Sequence, residues 1–160
     1  MFFKPEKIDG VSFIDKKYNS IEEIIALPQF KNKIVYIDRW YSSCSPCISD
    51  FKNYVPNLKK EMATSNIDIE YLYLGKETSI PISKQLWINS IKKYNLKGWH
   101  YYFSKEDHNI IFKTLNENLI RKNKPINGYP HYLIAINGKI VDYDAPTPDK
   151  IEEIKKLIYK

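Results

Sequence analysis

The sequence predicts an α/β fold, a central mixed β-sheet flanked by helices on both faces, built as a single domain over residues 1–160. Three observations predict it. Stretches with strand character alternate with stretches of helical spacing along most of the chain, the pattern of a largely parallel sheet covered by crossover helices. Near the end, two strand-like runs flank Asn137-Gly138, a pair suited to a two-residue hairpin, so the sheet also has antiparallel strands. At 160 residues the chain can bury one sizeable core and leaves little room for a second.

Taken in order, Ser20 and Glu23 form a capping-box signature ahead of a helix to Leu27, which Pro28 stops. Lys33 to Trp40 reads as a buried strand. From Ser45 to Ser65 the apolar residues Ile48, Phe51, Val55, Leu58 and Met62 recur three and four apart, predicting a helix that Pro56 should kink. Ile67 to Leu74 alternates as a second strand, with Ile67, Ile69, Tyr71 and Tyr73 on one face and Gly75 at its end. Ser83 to Tyr94 is a helix stopped near Gly98, Trp99 to Phe103 a short aromatic strand, and Asp107 to Leu115 a helical stretch. His131 to Ile136 and Lys139 to Tyr143 are the hairpin strands. Pro146 and Pro148 break the chain before a last helix, Asp149 to Tyr159. There is no internal repeat and no low-complexity linker.

Hydrophobic residues make up 43% of the chain and aromatics 14%, the composition of a folded globular protein. The net charge of +6 raises nucleic acid or anionic lipid as partners. The lysines are interspersed with acids, as in Glu152-Glu153-Ile154-Lys155-Lys156, and the densest basic stretch, Arg121-Lys122-Asn123-Lys124, ends at Pro125. With no nucleic-acid-binding motif beside them, these charges read as a solvated surface, and no nucleic-acid partner is expected. No apolar run approaches the roughly 20 residues that span a bilayer, so no membrane insertion by this chain is expected. Met1-Phe2-Phe3-Lys4-Pro5-Glu6-Lys7 lacks the apolar stretch of a signal peptide. That leaves two readings open, a cytosolic protein or a chain that starts after an export signal.

The chain has two cysteines, adjacent as Cys44-Ser45-Pro46-Cys47, between the strand ending at Trp40 and the expected start of a helix. They are too few for a disulfide-stapled scaffold or a four-cysteine zinc site, and His100, His108 and His131 lack the spacing of zinc ligands. A Cys-x-x-Cys pair can close a disulfide within one helical turn. At a helix N-terminus, free N–H groups and the helix dipole favour the thiolate. A thiolate that attacks a disulfide, with a second thiol two residues away to resolve the mixed disulfide, is a complete redox device. The bland reading, two inert core thiols, gives no reason for them to bracket Ser-Pro at a strand-to-helix turn. Pro46 also suits plain helix initiation. Asp38 is either an exposed residue at a strand edge or a buried acid; burial would raise its pKa and make it a proton carrier near neutral pH. Trp40 fits core and site wall equally, whereas Trp87 and Trp99 read as core.

The segment Asp38-Arg39-Trp40-Tyr41-Ser42-Ser43-Cys44-Ser45-Pro46-Cys47 resembles the active site of the thioredoxin superfamily. Gly128-Tyr129-Pro130-His131-Tyr132-Leu133-Ile134-Ala135-Ile136-Asn137-Gly138-Lys139-Ile140 resembles its cis-proline strand and hairpin. The two lie about eighty residues apart with an extra strand–helix insertion between them, similar to the TlpA/ResA branch and to its Bacteroidetes versions in particular. The resemblance implies a thioredoxin-like fold and a thiol–disulfide oxidoreductase that reduces protein disulfides. In it Cys44 is the exposed nucleophile, Cys47 the buried resolving thiol, and Asp38 the acid that exchanges a proton with Cys47. Pro130 is the cis-proline facing the disulfide, Tyr129 offers its backbone to a substrate strand, and Trp40 and Pro46 join the substrate-binding surface.

Ser-Pro between the cysteines is closer to the Gly-Pro of reducing thioredoxins than to the Pro-His of strong oxidants. The implied partners are a disulfide-containing protein substrate and an external thiol electron donor, with no cofactor and no metal, since the sulfurs carry the electrons. A monomer is expected in the bacterial periplasm, or tethered on its periplasmic side, with the export signal missing from this chain; a cytoplasmic location is the alternative. The chain departs from the pattern at Ser43, where the family usually has tryptophan, at Arg39, where it has an apolar residue, and at Pro56, about one turn late. A peroxidase of the same superfamily would need a Thr-x-x-Cys site preceded by proline, which Tyr41-Ser42-Ser43-Cys44 lacks. The alternative function is a thioredoxin-fold module that binds protein or copper without turnover, with His131 joining Cys44 and Cys47 around Cu(I).

Overall fold

The structure, a computed structural model, describes residues 6–126 and 128–159; residues 1–5 of the segment read for an export signal lie outside them. In chain order the elements are β1 (Val11–Phe13), α1 (Ile21–Ile25), a 3-10 turn at Pro28–Phe30, β2 (Ile34–Trp40), α2 (Ser45–Asn53), α3 (Val55–Thr64) and β3 (Ile69–Lys76). There follow α4 (Ser83–Lys93), β4 (Gly98–Phe103), α5 (His108–Ile111), α6 (Lys113–Arg121), β5 (His131–Ile136), β6 (Lys139–Asp142) and α7 (Ile151–Ile158). The six strands form one sheet in the order β1-β4-β3-β2-β5-β6. β1 through β4 are mutually parallel; β5 runs antiparallel to β2, and β6 antiparallel to β5.

β2 lies between β3 and β5, and every residue after Ile34 is buried, which is why it reads as a nearly unbroken apolar run. One face of the sheet packs Val35, Ile37, Leu72, Leu74, Phe103 and Leu133 against α1, α5 and α6. The other packs Tyr36, Trp40, Tyr73, Tyr132 and Ile134 against α2, α3, α4 and α7. Burying one such large side chain fully is worth about 1.5–3 kcal/mol, so these two layers dominate the favourable side of folding. The Asn137-Gly138 turn has φ of 51° and 77°, the left-handed pair a tight hairpin demands.

Local details depart from the expectations at five points. The helix expected over 45–65 is broken rather than kinked: Tyr54 (φ −126°, ψ −38°) separates α2 from α3, and Pro56 sits in the first turn of α3, where its missing N–H costs nothing. Gly75 does not end β3, which continues to Lys76; it is buried beneath Trp87, whose Nε1 would lie 2.4 Å from an added Cβ. The helical stretch after Asp107 runs on to Arg121 in two pieces, burying Ile111, Leu115 and Leu119. β1 is an addition, because three residues pairing with β4 at the sheet edge are too few to show a period. At α1 the capping box is displaced: Ser20 Oγ accepts from the Glu23 N–H at 3.1 Å, while the Glu23 carboxylate accepts from Asn19 N–H at 3.0 Å. No helix among the described residues is long and apolar enough to cross a membrane.

Candidate active site

β2 ends at Trp40, and the link to α2 turns back tightly, with Cys44 N–H donating to the Tyr41 carbonyl at 3.1 Å. Cys44 is thereby the N-cap of α2. Its Sγ accepts from Cys47 N–H at 3.2 Å, the bond a serine oxygen makes at other helix starts. The two cysteines are joined as a disulfide, their Cα atoms 5.2 Å apart. When the pair is reduced, the same N–H donors and the helix dipole meet a sulfur that can carry negative charge.

The register of β2 against β5 pairs Asp38 with Tyr132 and Arg39 with His131. It therefore brings the segment just before β5 to the end of the sheet where the disulfide lies. There the Tyr129–Pro130 peptide is cis. The rings of Tyr41 and Tyr129 meet edge to face at 5.4 Å and pack against the apolar cluster that holds both cysteines. An open cleft of about 480 Å³ adjoins this edge, lined among others by Tyr41, Ser43, Lys76, Lys105 and His108.

Asp38 occupies the buried alternative. It is 2% exposed, and neither carboxylate oxygen has a hydrogen-bond partner. Burial holds its pKa well above the usual carboxylate range; Asp50 adds to the rise and Lys59 opposes it. Sequence reading missed both of those neighbours. Asp50, on α2, accepts a hydrogen bond from Tyr132 Oη at 2.5 Å, and burial raises its pKa as well. Lys59, on α3, donates to the Lys97 carbonyl at 2.7 Å and lies over the rings of Tyr71 and Tyr73, with burial pulling its pKa down to about 8. The only signal for either was an ordinary polar residue on an amphipathic helix.

Two placements correct the expectations. Cys44 is not exposed in the oxidised pair but 1% accessible, because its sulfur is drawn in as the helix cap and the tyrosines pack over the same cluster; Ser43, Ser45 and Pro46 are the exposed residues around it. Trp40 has no exposed surface, so it cannot touch a bound substrate; its indole packs edge to face on Phe51 at 5.1 Å and forms part of the floor. Tyr129 and Pro130 are partly exposed at the rim.

His131 does not join the cysteines. Its Nδ1 lies 2.8 Å from an Arg39 nitrogen and its Nε2 faces the Asp144 carboxylate at 3.6 Å, and burial followed by the Arg39 charge lowers its pKa to about 4. Among the described residues no group of three His, Cys, Asp or Glu side chains is placed to hold a metal ion.

No protein-family model and no curated protein matches the chain. Solved structures do. The thioredoxin domain of a thiol-disulfide oxidoreductase from Bacteroides vulgatus superposes with a TM-score of 0.59 at 21% identity, over 82% of this chain and 84% of that one. A thiol:disulfide interchange protein from Bacteroides sp. gives 0.57 at 19% identity, over 82% and 77%. A thiol-disulfide oxidoreductase from Bacteroides fragilis gives 0.56 at 19%, over 83% and 87%. The chain has the thioredoxin-like fold.

Proposed function

We propose that the protein is a thiol–disulfide oxidoreductase that reduces protein disulfides through Cys44 and Cys47. The observation that carries this reading is the disulfide itself, closed across the first turn of α2 at the sheet end that also holds the cis Tyr129–Pro130 peptide. The names of the Bacteroides structures that share the fold support the same chemistry.

In the reducing direction the Cys44 thiolate attacks one sulfur of the substrate disulfide. A Cys44–substrate disulfide forms, and the first substrate sulfur leaves as a thiolate that takes a proton from solvent. Cys47 then loses its proton, with Asp38 as the acceptor, and attacks Cys44 Sγ. The Cys44–Cys47 disulfide forms, and the second substrate sulfur departs as a thiolate that takes up the proton held by Asp38. Two electrons and two protons have then passed to the substrate, and an external dithiol must supply them again. Asp38 suits the proton step because burial raises its pKa, which makes its ionised carboxylate a stronger proton acceptor than that of an ordinary aspartate. Tyr129 and Pro130 bind an extended substrate segment at the rim by strand-like contacts. The resemblance to TlpA/ResA proteins supports a bacterial periplasmic setting, free or tethered, and a monomer.

The test uses insulin as substrate and dithiothreitol as donor. The wild-type protein should accelerate reduction of insulin above the rate with dithiol alone. Cys47→Ala should instead accumulate a covalent complex with insulin through Cys44, and Cys44→Ala should form none. Absence of both acceleration and trapping removes the enzymatic reading.

A further inference from the structure

We propose that Arg39 is a positioning residue whose guanidinium clamps the side chains on either side of Pro130 and so holds the rim that receives a substrate strand. The inference rests on the thiol–disulfide reading of the site and assigns a role to a residue that reading does not use.

Arg39 lies in the central strand with no exposed surface. Its guanidinium stacks 4.1 Å from the ring of Phe112 and 4.9 Å from that of Tyr129. One terminal nitrogen is 2.8 Å from His131 Nδ1, and the other donates to Tyr129 Oη at 3.2 Å. Its Nε has no partner, and no carboxylate of the described residues forms an ion pair with it. A buried cation without an anion is among the costliest groups a core can hold, and a well-packed apolar residue would serve stability better. The two groups it binds belong to residues 129 and 131; what they share is Pro130 between them.

The hydrogen bonds also have a fixed direction. A guanidinium can only donate, so His131 Nδ1 accepts and is unprotonated. Tyr129 Oη accepts from Arg39 and passes its own hydrogen to His108 Nε2, 3.0 Å away, which must then be unprotonated too. Pairing of β2 with β5 already fixes His131, the register partner of Arg39. Tyr129 precedes β5 and has no such pairing; besides the clamp and His108, its ring meets the edge of Tyr41 and the ammonium of Lys76 at 5.3 Å. Arg39 therefore joins the rigid centre of the sheet to Tyr129, a rim residue that strand pairing does not hold. A lysine could reach one partner but lacks the fork to bind both.

Steady-state reduction of insulin with dithiothreitol as donor tests this, alongside stopped-flow exchange between dithiothreitol and the Cys44–Cys47 pair. Arg39→Met should raise KM for insulin about tenfold, the loss expected when a charge-assisted hydrogen bond at a binding surface goes. Exchange with dithiothreitol should change less than about twofold, since a small dithiol makes no strand contacts. Arg39→Lys should resemble Arg39→Met. Tyr129→Phe, which keeps the ring and removes one arm of the clamp, should raise KM by a smaller factor and carries the test if Arg39→Met does not fold. An unchanged KM in these variants overturns the proposal. So does an equal loss in both assays, which would mark a purely structural residue, or full rescue by lysine, which would mark charge alone. If wild-type protein exchanges with dithiothreitol but never reduces insulin, the substrate reading fails first and the clamp falls with it.

Discussion

His131 makes the acid stability of the fold calculable. Its ordinary pKa of 6.5 falls to about 4 in the folded protein, first because it is buried and then because the Arg39 guanidinium faces it, with Asp144 pulling the other way. The unfolded chain takes up a proton at this position below pH 6.5, and the folded chain only near pH 4. The stability tied to neutral His131 is thus complete above the unfolded value and is lost as pH falls through the window from 6.5 to 4. Linkage over that window removes about 2 kcal/mol by pH 5 and about 3 kcal/mol well below pH 4. The side chain is 11% exposed, so little of this is screened by solvent. Replacement by glutamine leaves an acceptor for Arg39 and removes the titration. Urea unfolding of the oxidised wild type and of His131→Gln, at pH 7.5 and pH 5, isolates the effect, because the two proteins differ in this one side chain. The difference in unfolding free energy should move by about 2 kcal/mol in favour of the variant between the two pH values. Parallel pH profiles would refute the assignment of a buried, neutral His131 held by Arg39.

Asp38 has the opposite dependence. Its raised pKa means that the folded protein holds a proton the unfolded chain releases above 3.8, so the stability it confers is present in acid and lost as pH rises through the raised value. Asp38→Asn should therefore be more stable than wild type at pH 8 and lose that advantage toward pH 4 in urea titrations; a variant less stable at pH 8 would contradict the burial argument. In single-turnover assays with insulin, the same variant should slow resolution of the Cys44 mixed disulfide about a hundredfold, the scale of a lost general base. Gly75→Ala should destabilise by about 1–3 kcal/mol through overlap with Trp87, lowering the thermal midpoint by about 2–4 °C per kcal/mol.

Much of this site could be read before any coordinates, and the reasons are local. The apolar run to Trp40, the Cys-x-x-Cys turn and the Asn137-Gly138 hairpin each carry their signal within a few residues, so their elements stand where expected. Asp38 could be left only as a choice, because edge and centre differ by which strands flank β2, and those come from residues 69–76 and 131–136. Arg39 was visible only as a polar departure from an apolar position. Its partners Tyr129 and His131 lie 90 and 92 positions away and meet it through β2–β5 pairing. Trp40 shows the same limit: core and site wall fitted it equally, and its burial against Phe51 across the turn decides for the core, as a floor of the site. Pro56 gave a break instead of a kink because the chain could restart a helix with proline in its first turn.

The central claim is that Cys44 and Cys47 form a reversible two-electron couple on the reducing side. Equilibration against dithiothreitol and glutathione, read by alkylation of the free thiols, measures it directly. The account predicts a single couple nearer the roughly −270 mV of thioredoxin than the roughly −120 mV of DsbA. A value near the latter would reverse the direction of electron flow, and a disulfide that shows no reversible couple would contradict the account.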